Sequence, residues 1–325
     1  LKIKIFSKNY IKKKMSNLLE IQGPSNIFQI DWTVSNICNY NCYYCADDAK
    51  IGNYTWPDIE VVSKILHKIK KLHPHKLFSY NLLGGELTLW KDFIRFISTI
   101  RDITPNCNIR LLTNGRMPST YWEKNGYKFD SVQFSFHARQ TNVNDFVQNL
   151  KFCSCKDINV FLMMDPQYWD KCIMAFNLIK EQVTNVRNVA AKPIDNRAKS
   201  YQSKLTLYTQ NQIDWMKNNK ITLPIKKSLE KKIVGIYKDK NKKIVDPFQL
   251  ILNKETAWKG WTCNIGVDKL SFRPNGEITG GSGCLVGGVL GNWRENILNT
   301  YKLKPIKCDK DYCFCGSDIE ISKKL

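Results

Sequence analysis

From about residue 27 to residue 195, strand-like and helix-like segments take turns along the chain, and this alternation limits the fold more than any other feature. Strands are predicted at 28–35 (FQIDWTVS), 77–83, 108–113, 131–136, 158–164 and 186–191. Helices are predicted at about 57–73, 90–104, 118–125, 142–153 and 167–183, the first opened by Pro57 and Asp58, which suit a helix start. Strand, helix, strand in repetition implies parallel strands joined by right-handed crossovers. Six such units fall short of the eight that close a complete barrel. The expected fold is therefore α/β, an open, partial (βα)6 TIM-like barrel.

Side-chain alternation adds a prediction about the barrel interior. Phe28, Ile30, Trp32 and Val34 share one side of the first strand; Asp31, Thr33 and Ser35 share the other. In the fourth strand Val132, Phe134 and Phe136 oppose Gln133, Ser135 and His137. Helices cover the outer face of such a barrel, so that face should be apolar. Period two then puts the polar sets in the lumen, which suits a polar ligand.

The remaining chain divides by texture. Residues 1–26 read as a basic N-terminal extension, with Met15–Ser16 as a natural start and the segment before it disordered. Residues 27–195 are the barrel. Residues 196–260 read as a linker or insert, with a helix at 208–218 and a hairpin around Asp239–Asn241. From 261 onward a short strand, a Pro274–Asn275–Gly276 turn and a second strand form a hairpin flanked by cysteines, the core of a small C-terminal domain. At 325 residues and 43% hydrophobic content, one large domain and a smaller one can both bury a core. No apolar run is long enough to span a membrane, and no signal-peptide core is present. The net charge of +21 is compatible with a polyanionic partner such as nucleic acid, but the lysines are scattered through a chain rich in Lys, Asn and Ile. No RNA-binding signature accompanies them.

Twelve cysteines without an export signal point to a reducing cytoplasm and to metal binding rather than disulfides. Eight of the twelve cluster: Cys38, Cys42 and Cys45 in one group, and Cys263, Cys284, Cys308, Cys313 and Cys315 in the other. Cys107, Cys153, Cys155 and Cys172 read as packing residues. The first group directly follows the first strand, at the barrel mouth where active sites assemble. Its C-x3-C-x2-C spacing lacks the fourth ligand of structural zinc. An iron–sulfur cluster held by three thiolates would leave one iron open to a small chelating ligand.

The stretch CNYNCYYC, with Tyr44 before its last cysteine, resembles the signature of the radical S-adenosylmethionine (SAM) enzymes. LLGGELTLW, with Gly84, Gly85 and Glu86 ending the second strand, resembles that family's GGE segment, and LLTNG ends the third strand with a similar turn. The resemblance implies that Cys38, Cys42 and Cys45 hold a [4Fe–4S] cluster and that SAM chelates the open iron. It implies that Gly84, Gly85 and Glu86 bind the SAM amino group, and that Tyr44 lies near the adenine. It further implies that Asn114, Ser135 and His137 contact the SAM ribose or carboxylate. The implied reaction is reductive cleavage of SAM to a 5′-deoxyadenosyl radical that abstracts hydrogen from substrate, fed by an electron donor such as flavodoxin or ferredoxin. His67, His73 and His75 take no part.

The second cysteine group resembles the SPASM or shorter twitch extension of the same family, which implies an auxiliary [4Fe–4S] cluster. Five cysteines are fewer than the seven of SPASM, so the twitch-like form fits better. Cys263 and Cys284 are its firmest ligands, completed by members of Cys308, Cys313 and Cys315, and an auxiliary cluster would allow a net oxidation. Asp165, Lys192 and Asp195 follow the fifth and sixth strands, where a bound polar molecule would meet them. The expected substrate is a small polar metabolite or sugar. One alternative is a peptide-modifying enzyme of the same family. The other is a non-enzymatic zinc protein that binds nucleic acid.

Overall fold

A computed structural model of the protein describes residues 17–45, 51–194, 207–222, 233–245, 247–252, 255–313 and 315–325. The expected disordered start (1–14) and Asp195 lie outside these residues. The barrel strands are β2 (Ile27–Thr33), β3 (Leu77–Leu83), β4 (Asn108–Thr113), β5 (Ser131–His137), β6 (Ile158–Met164) and β7 (Val186–Pro193). They pair in parallel, in chain order. Between them run α1 (Ile59–Leu72), α2 (Phe93–Ile103), α3 (Ser119–Asn125), α4 (Val143–Phe152) and α5 (Trp169–Gln182).

Local chemistry accounts for these elements. The Asp58 carboxylate caps α1 by accepting the Glu60 N–H at 2.8 Å. Val62, Ile65, Leu66 and Ile69 recur at helical spacing and all bury against the sheet. The same spacing buries Phe93, Phe96, Ile97 and Ile100 of α2. On β2, Phe28, Ile30 and Trp32 are fully buried under these helices, while Asp31 faces the other way. Each such buried side chain contributes roughly 1.5–3 kcal/mol.

The later chain differs from the sequence reading. Four more strands follow β8 (Lys220–Thr222): β9 (Val234–Tyr237), β10 (Lys242–Ile244), β11 (Thr262–Cys263) and β12 (Lys269–Phe272). The last five are β13 (Glu277–Thr279), β14 (Val289–Asn292), β15 (Ile297–Leu298), β16 (Ile306–Lys307) and β17 (Lys323–Lys324). The expected hairpin is β12–β13, turned at Gly276 (φ 96°). Yet β12 does not stand apart: it pairs in parallel with β2, Ser271 opposite Asp31, and so adds a strand to the barrel sheet. The sheet runs β15-β14-β13-β12-β2-β3-β4-β5-β6-β7-β8 and stays open. Trp32 is the seam, its ring 4.9 Å from Phe272 and 5.3 Å from Trp293, both edge-on.

Residues assigned to an extension and to a linker also fold together. Strand β1 (Leu18–Gln22) lies between the β9–β10 hairpin and β17 in a second sheet, ordered β10-β9-β1-β17-β11-β16. Leu18, Ile21, Ile233, Leu250, Trp258, Trp261 and Ile319 make its separate small core. Apolar residues at 18 and 21 were the available signal; strands this short have no period of their own. The predicted helix of the insert is α6 (Gln210–Asn218), opened by a Thr209–Gln212 capping box. Two short helices complete the chain, α7 (Pro247–Leu252) and α8 (Gly316–Ile319). Among the described residues no helix is long and apolar enough to cross a membrane.

Candidate functional site

The loop after β2 and the loop after β3 run in contact. The Gly85 N–H donates to Ser35 O at 3.0 Å and the Glu86 N–H to Ile37 O at 2.8 Å. A Cβ on Gly85 would stand 2.0 Å from Ile37 O, and one on Gly84 would stand 2.7 Å from Ser35 O. Glycine is required at both because backbone passes there. Ser35 Oγ donates to Tyr54 O (2.6 Å), and Arg294 reaches from the C-terminal region to Val34 O and Thr55 O. The base of the cysteine loop is thus held from three sides.

Cys38, Cys42 and Cys45 follow at once. Cys42 is buried; Cys38 and Cys45 are half-buried. Burial pushes the Cys38 thiol up, while the Tyr40 N–H, 3.4 Å from its sulfur, favours the thiolate. The Asn114 amide lies 3.9 Å from the same sulfur and donates to Asn39 Oδ1 at 2.8 Å. These donors suit an anionic sulfur ligand.

Glu86 is directed elsewhere than expected for an acceptor of a ligand ammonium. It is 1% exposed. Oε1 accepts from Thr88 N, Thr88 Oγ1 (2.6 Å) and Thr113 Oγ1 (2.9 Å), and Oε2 accepts from Asn114 N (2.7 Å). Burial pushes its carboxyl up and those donors pull it down, the burial winning. Its role here is to tie the loop after β3 to the end of β4.

His137, at the end of β5, approaches the cysteine loop from the far side. Its Nδ1 lies 2.6 Å from Tyr44 OH and 3.5 Å from Cys42 Sγ. Burial lowers the imidazole to about 4 and raises the Tyr44 phenol, so at neutral pH the ring is neutral and Tyr44 donates to it. The two rings stack at 5.9 Å and 14°. Ser135 faces the lumen two residues earlier, half-buried. Asp165 caps the turn after β6 and accepts from Tyr43 OH at 3.1 Å through Oδ1. Its Oδ2 is buried with no hydrogen-bond partner among the described residues. Lys192, near the end of β7, lies with its ammonium 3.5 Å from the Phe161 ring centroid. The structure therefore brings Cys38, Cys42, Cys45, Tyr44, Gly84, Gly85, Asn114 and His137 to one end of the barrel, with Asp165 beside them.

The five later cysteines converge as well. Cys263, Cys284, Cys308, Cys313 and Cys315 all line one cavity of about 90 Å³ with Trp258, Trp261, Tyr312 and Lys323. Burial raises the thiols of Cys263, Cys284 and Cys313, the last to about 12. Lys323 is 5% exposed, and burial lowers its ammonium against the pull of Cys263 and Cys313. Among the described residues it donates to Asp318 O and Ile319 O (2.9 and 3.0 Å) and lies 4.5 Å over Trp258. The Trp258 indole N–H has no partner among the described residues. A buried cation and an orphaned donor in a thiol-lined cavity fit an anionic, thiolate-bound group. Among the described residues no three His, Cys, Asp or Glu side chains converge as a single ion requires. Cys107, Cys153, Cys155 and Cys172 are all buried, and none of them lines that cavity.

Sequence reading missed Lys323, Lys269 and Asp318. The signal for Lys269 was a lysine at a lumen-facing position of an alternating strand; Asp318 and Lys323 carried none.

Residues 32–151 match the family model of the Radical SAM superfamily. Curated relatives include the GTP 3′,8-cyclase of Haemophilus influenzae (strain KW20 / Rd), 28% identical over 122 residues, or 35% of this chain and 36% of that one. The probable GTP 3′,8-cyclase of Sulfurisphaera tokodaii is 26% identical over 107 residues, 33% of each chain. The chain spans about a third of the length of these relatives. Among solved structures it resembles anSMEcpe with bound AdoMet, with a TM-score of 0.53 and 15% identity over 85% of this chain and 80% of that one. The likeness is one of fold.

Proposed function

We propose that this chain, whose residues 32–151 are a radical SAM domain, is an enzyme that cleaves SAM reductively and abstracts hydrogen from a small polar substrate. The observation that carries this reading is the junction of three cysteines, in one loop, with a Gly84–Gly85 backbone that touches that loop. Cys38, Cys42 and Cys45 would hold a [4Fe–4S] cluster. When bound and reduced by a donor of the flavodoxin or ferredoxin class, such a cluster would supply the electron that splits SAM into methionine and a 5′-deoxyadenosyl radical.

The chain's own residues perform the remaining tasks. Glu86 fixes the loop after β3, so that the Gly84–Gly85 backbone presents itself to the SAM amino group. Asn114 and Tyr40 steady the Cys38 sulfur. His137, kept neutral by burial, accepts from Tyr44 and orients that ring for the adenine. The lumen is lined by Asn81, Arg110, Gln133 and Ser135, side chains suited to hydroxyl, amide or phosphate groups. The Oδ2 of Asp165, without a hydrogen-bond partner among the described residues, offers an acceptor to a substrate hydroxyl or ammonium. The cyclases to which part of the chain is similar have a nucleotide in their name, which agrees with a small polar substrate. Cys263 and Cys284, with members of Cys308, Cys313 and Cys315, would hold an auxiliary [4Fe–4S] cluster able to accept an electron from a substrate radical, making the net reaction an oxidation.

The test is anaerobic reconstitution followed by incubation with SAM, reductant and two fractions of cell extract, one of small metabolites and one of peptides. Enhanced 5′-deoxyadenosine with the metabolite fraction supports the proposal. Enhancement with the peptide fraction alone replaces the substrate class, and no 5′-deoxyadenosine in any fraction overturns the chemistry.

A further inference from the structure

The polar lumen and the cysteine cavity are joined by a buried chain of charge. Asp31 on β2, Lys269 on β12 and Asp318 on α8 have side chains only 2–4% exposed. The Lys269 ammonium sits 2.6 Å from Asp31 Oδ2 and 3.0 Å from Asp318 Oδ1. Burial acts to raise the Asp31 carboxyl, but the Lys269 ammonium, together with the hydrogen bonds from Ser282 and Asn81, outweighs it and holds that carboxyl well below its usual range. Lys269 likewise stays charged, the two carboxylates overcoming its burial.

Each end of this chain grips something specific. Asp31 Oδ1 accepts from Gln29 (2.8 Å) and Asn81 (2.6 Å), which fixes it to the lumen wall. Asp318 accepts the backbone N–H groups of Ser282 (2.9 Å) and Gly283 (2.8 Å), the two residues before Cys284. Ser282 Oγ donates to Asp31 Oδ2. Ser317 Oγ touches three groups: Lys269 Nζ (2.8 Å), Asp31 Oδ2 (3.1 Å) and Cys315 Sγ (3.3 Å). A Cβ on Gly283 would stand 2.9 Å from that of Cys315, so the two cysteine-bearing segments are in contact here.

We infer that Asp31, Lys269 and Asp318 are positioning residues that fasten the segments bearing Cys284 and Cys315 to strand β2, and so set an auxiliary iron–sulfur cluster in fixed register with the loop of Cys38, Cys42 and Cys45. The inference rests on the auxiliary-cluster reading above. Buried ion pairs contribute little net stability and are costly when half-removed, so one kept in this place reads as a means of registration.

The variant that separates registration from charge is Asp31→Asn with Lys269→Met. It removes one negative and one positive group together, leaves Asp318 with its two backbone donors, and keeps the sum of the three charges at −1. The full-length protein is reconstituted anaerobically; iron and sulfide per chain, the midpoint potentials and the thermal unfolding curve are measured. The expected result is a folded protein that keeps the SAM-responsive cluster and loses the other, about half of the iron. Retention of both clusters at unchanged potentials overturns the inference, and so does equal loss of both. If the double variant does not accumulate as folded protein, Ser282→Ala, which cuts a tie between the Cys284 segment and Asp31 without touching a cysteine sulfur, decides the matter. It leaves the ion pairs in place, and a shift of the auxiliary potential alone supports the inference while no shift overturns it. Wild-type protein that takes up only one cluster would instead end the auxiliary-cluster reading.

Discussion

The two cysteine groups are assembled by opposite means. Cys38, Cys42 and Cys45 come from one short loop, and their geometry is held by backbone contact with Gly84–Glu86. The five later cysteines come from β11, from the segments around 284 and 308, and from the tail before α8, and they meet only because a second sheet folds. A local site depends on a few close contacts; a convergent one depends on the fold that gathers it. The first should therefore fail sharply when a loop residue changes, and the second should fail separately, with the barrel intact.

The largest expected effect is that of Cys42→Ala, which should abolish 5′-deoxyadenosine release from SAM under dithionite, read by mass spectrometry. Cys263→Ala should separate the two sites. It should block product formation while uncoupled SAM cleavage persists, and equal loss of both would mean that the groups are one structural unit. Gly85→Ala drives a methyl into Ile37 O. Overpacking of this kind costs about 1–3 kcal/mol, and roughly a tenfold weaker SAM affinity is expected by calorimetry.

A smaller effect is expected at acid pH. The Asp31 carboxyl is held below its ordinary value, so its contribution to stability is present above about pH 4 and is lost as pH falls through the folded value. Asp31→Asn should thus unfold with a shallower pH dependence below about pH 4, measured by denaturant titration. The smallest effect belongs to Cys107→Ala, a buried packing residue, expected to cost about 1 kcal/mol or less with iron content unchanged. A drop in iron there would show that the sorting of cysteines into ligands and packing residues is wrong.

The same contrast explains what could be read in advance. The βα alternation sits in period-two and period-3.6 patterns long enough to recognise, and strands such as 77–83 and 108–113 form over the residues expected. Tyr44, His137 and the Gly84–Gly85 pair lie at strand ends or in the loop itself, so their convergence followed from topology. The Glu86 carboxylate turns inward, because Thr88, Thr113 and the Asn114 N–H offer it donors that sequence spacing does not reveal. Strands β1, β11, β16 and β17 run two to five residues and had no period to read. Their pairing is non-local, as is that of β12 with β2. The Asp31–Lys269–Asp318 chain depends on both, and spans 287 residues of sequence between Asp31 and Asp318.

Cys38, Cys42 and Cys45 are expected to hold a cluster to which the SAM amino group binds directly. Electron–nuclear double resonance of the reduced, reconstituted protein with SAM carrying a 15N-labelled amino group measures this directly. A resolved nitrogen coupling, lost in Cys42→Ala, is the predicted result. A spectrum with no nitrogen coupling and no response to SAM would contradict it.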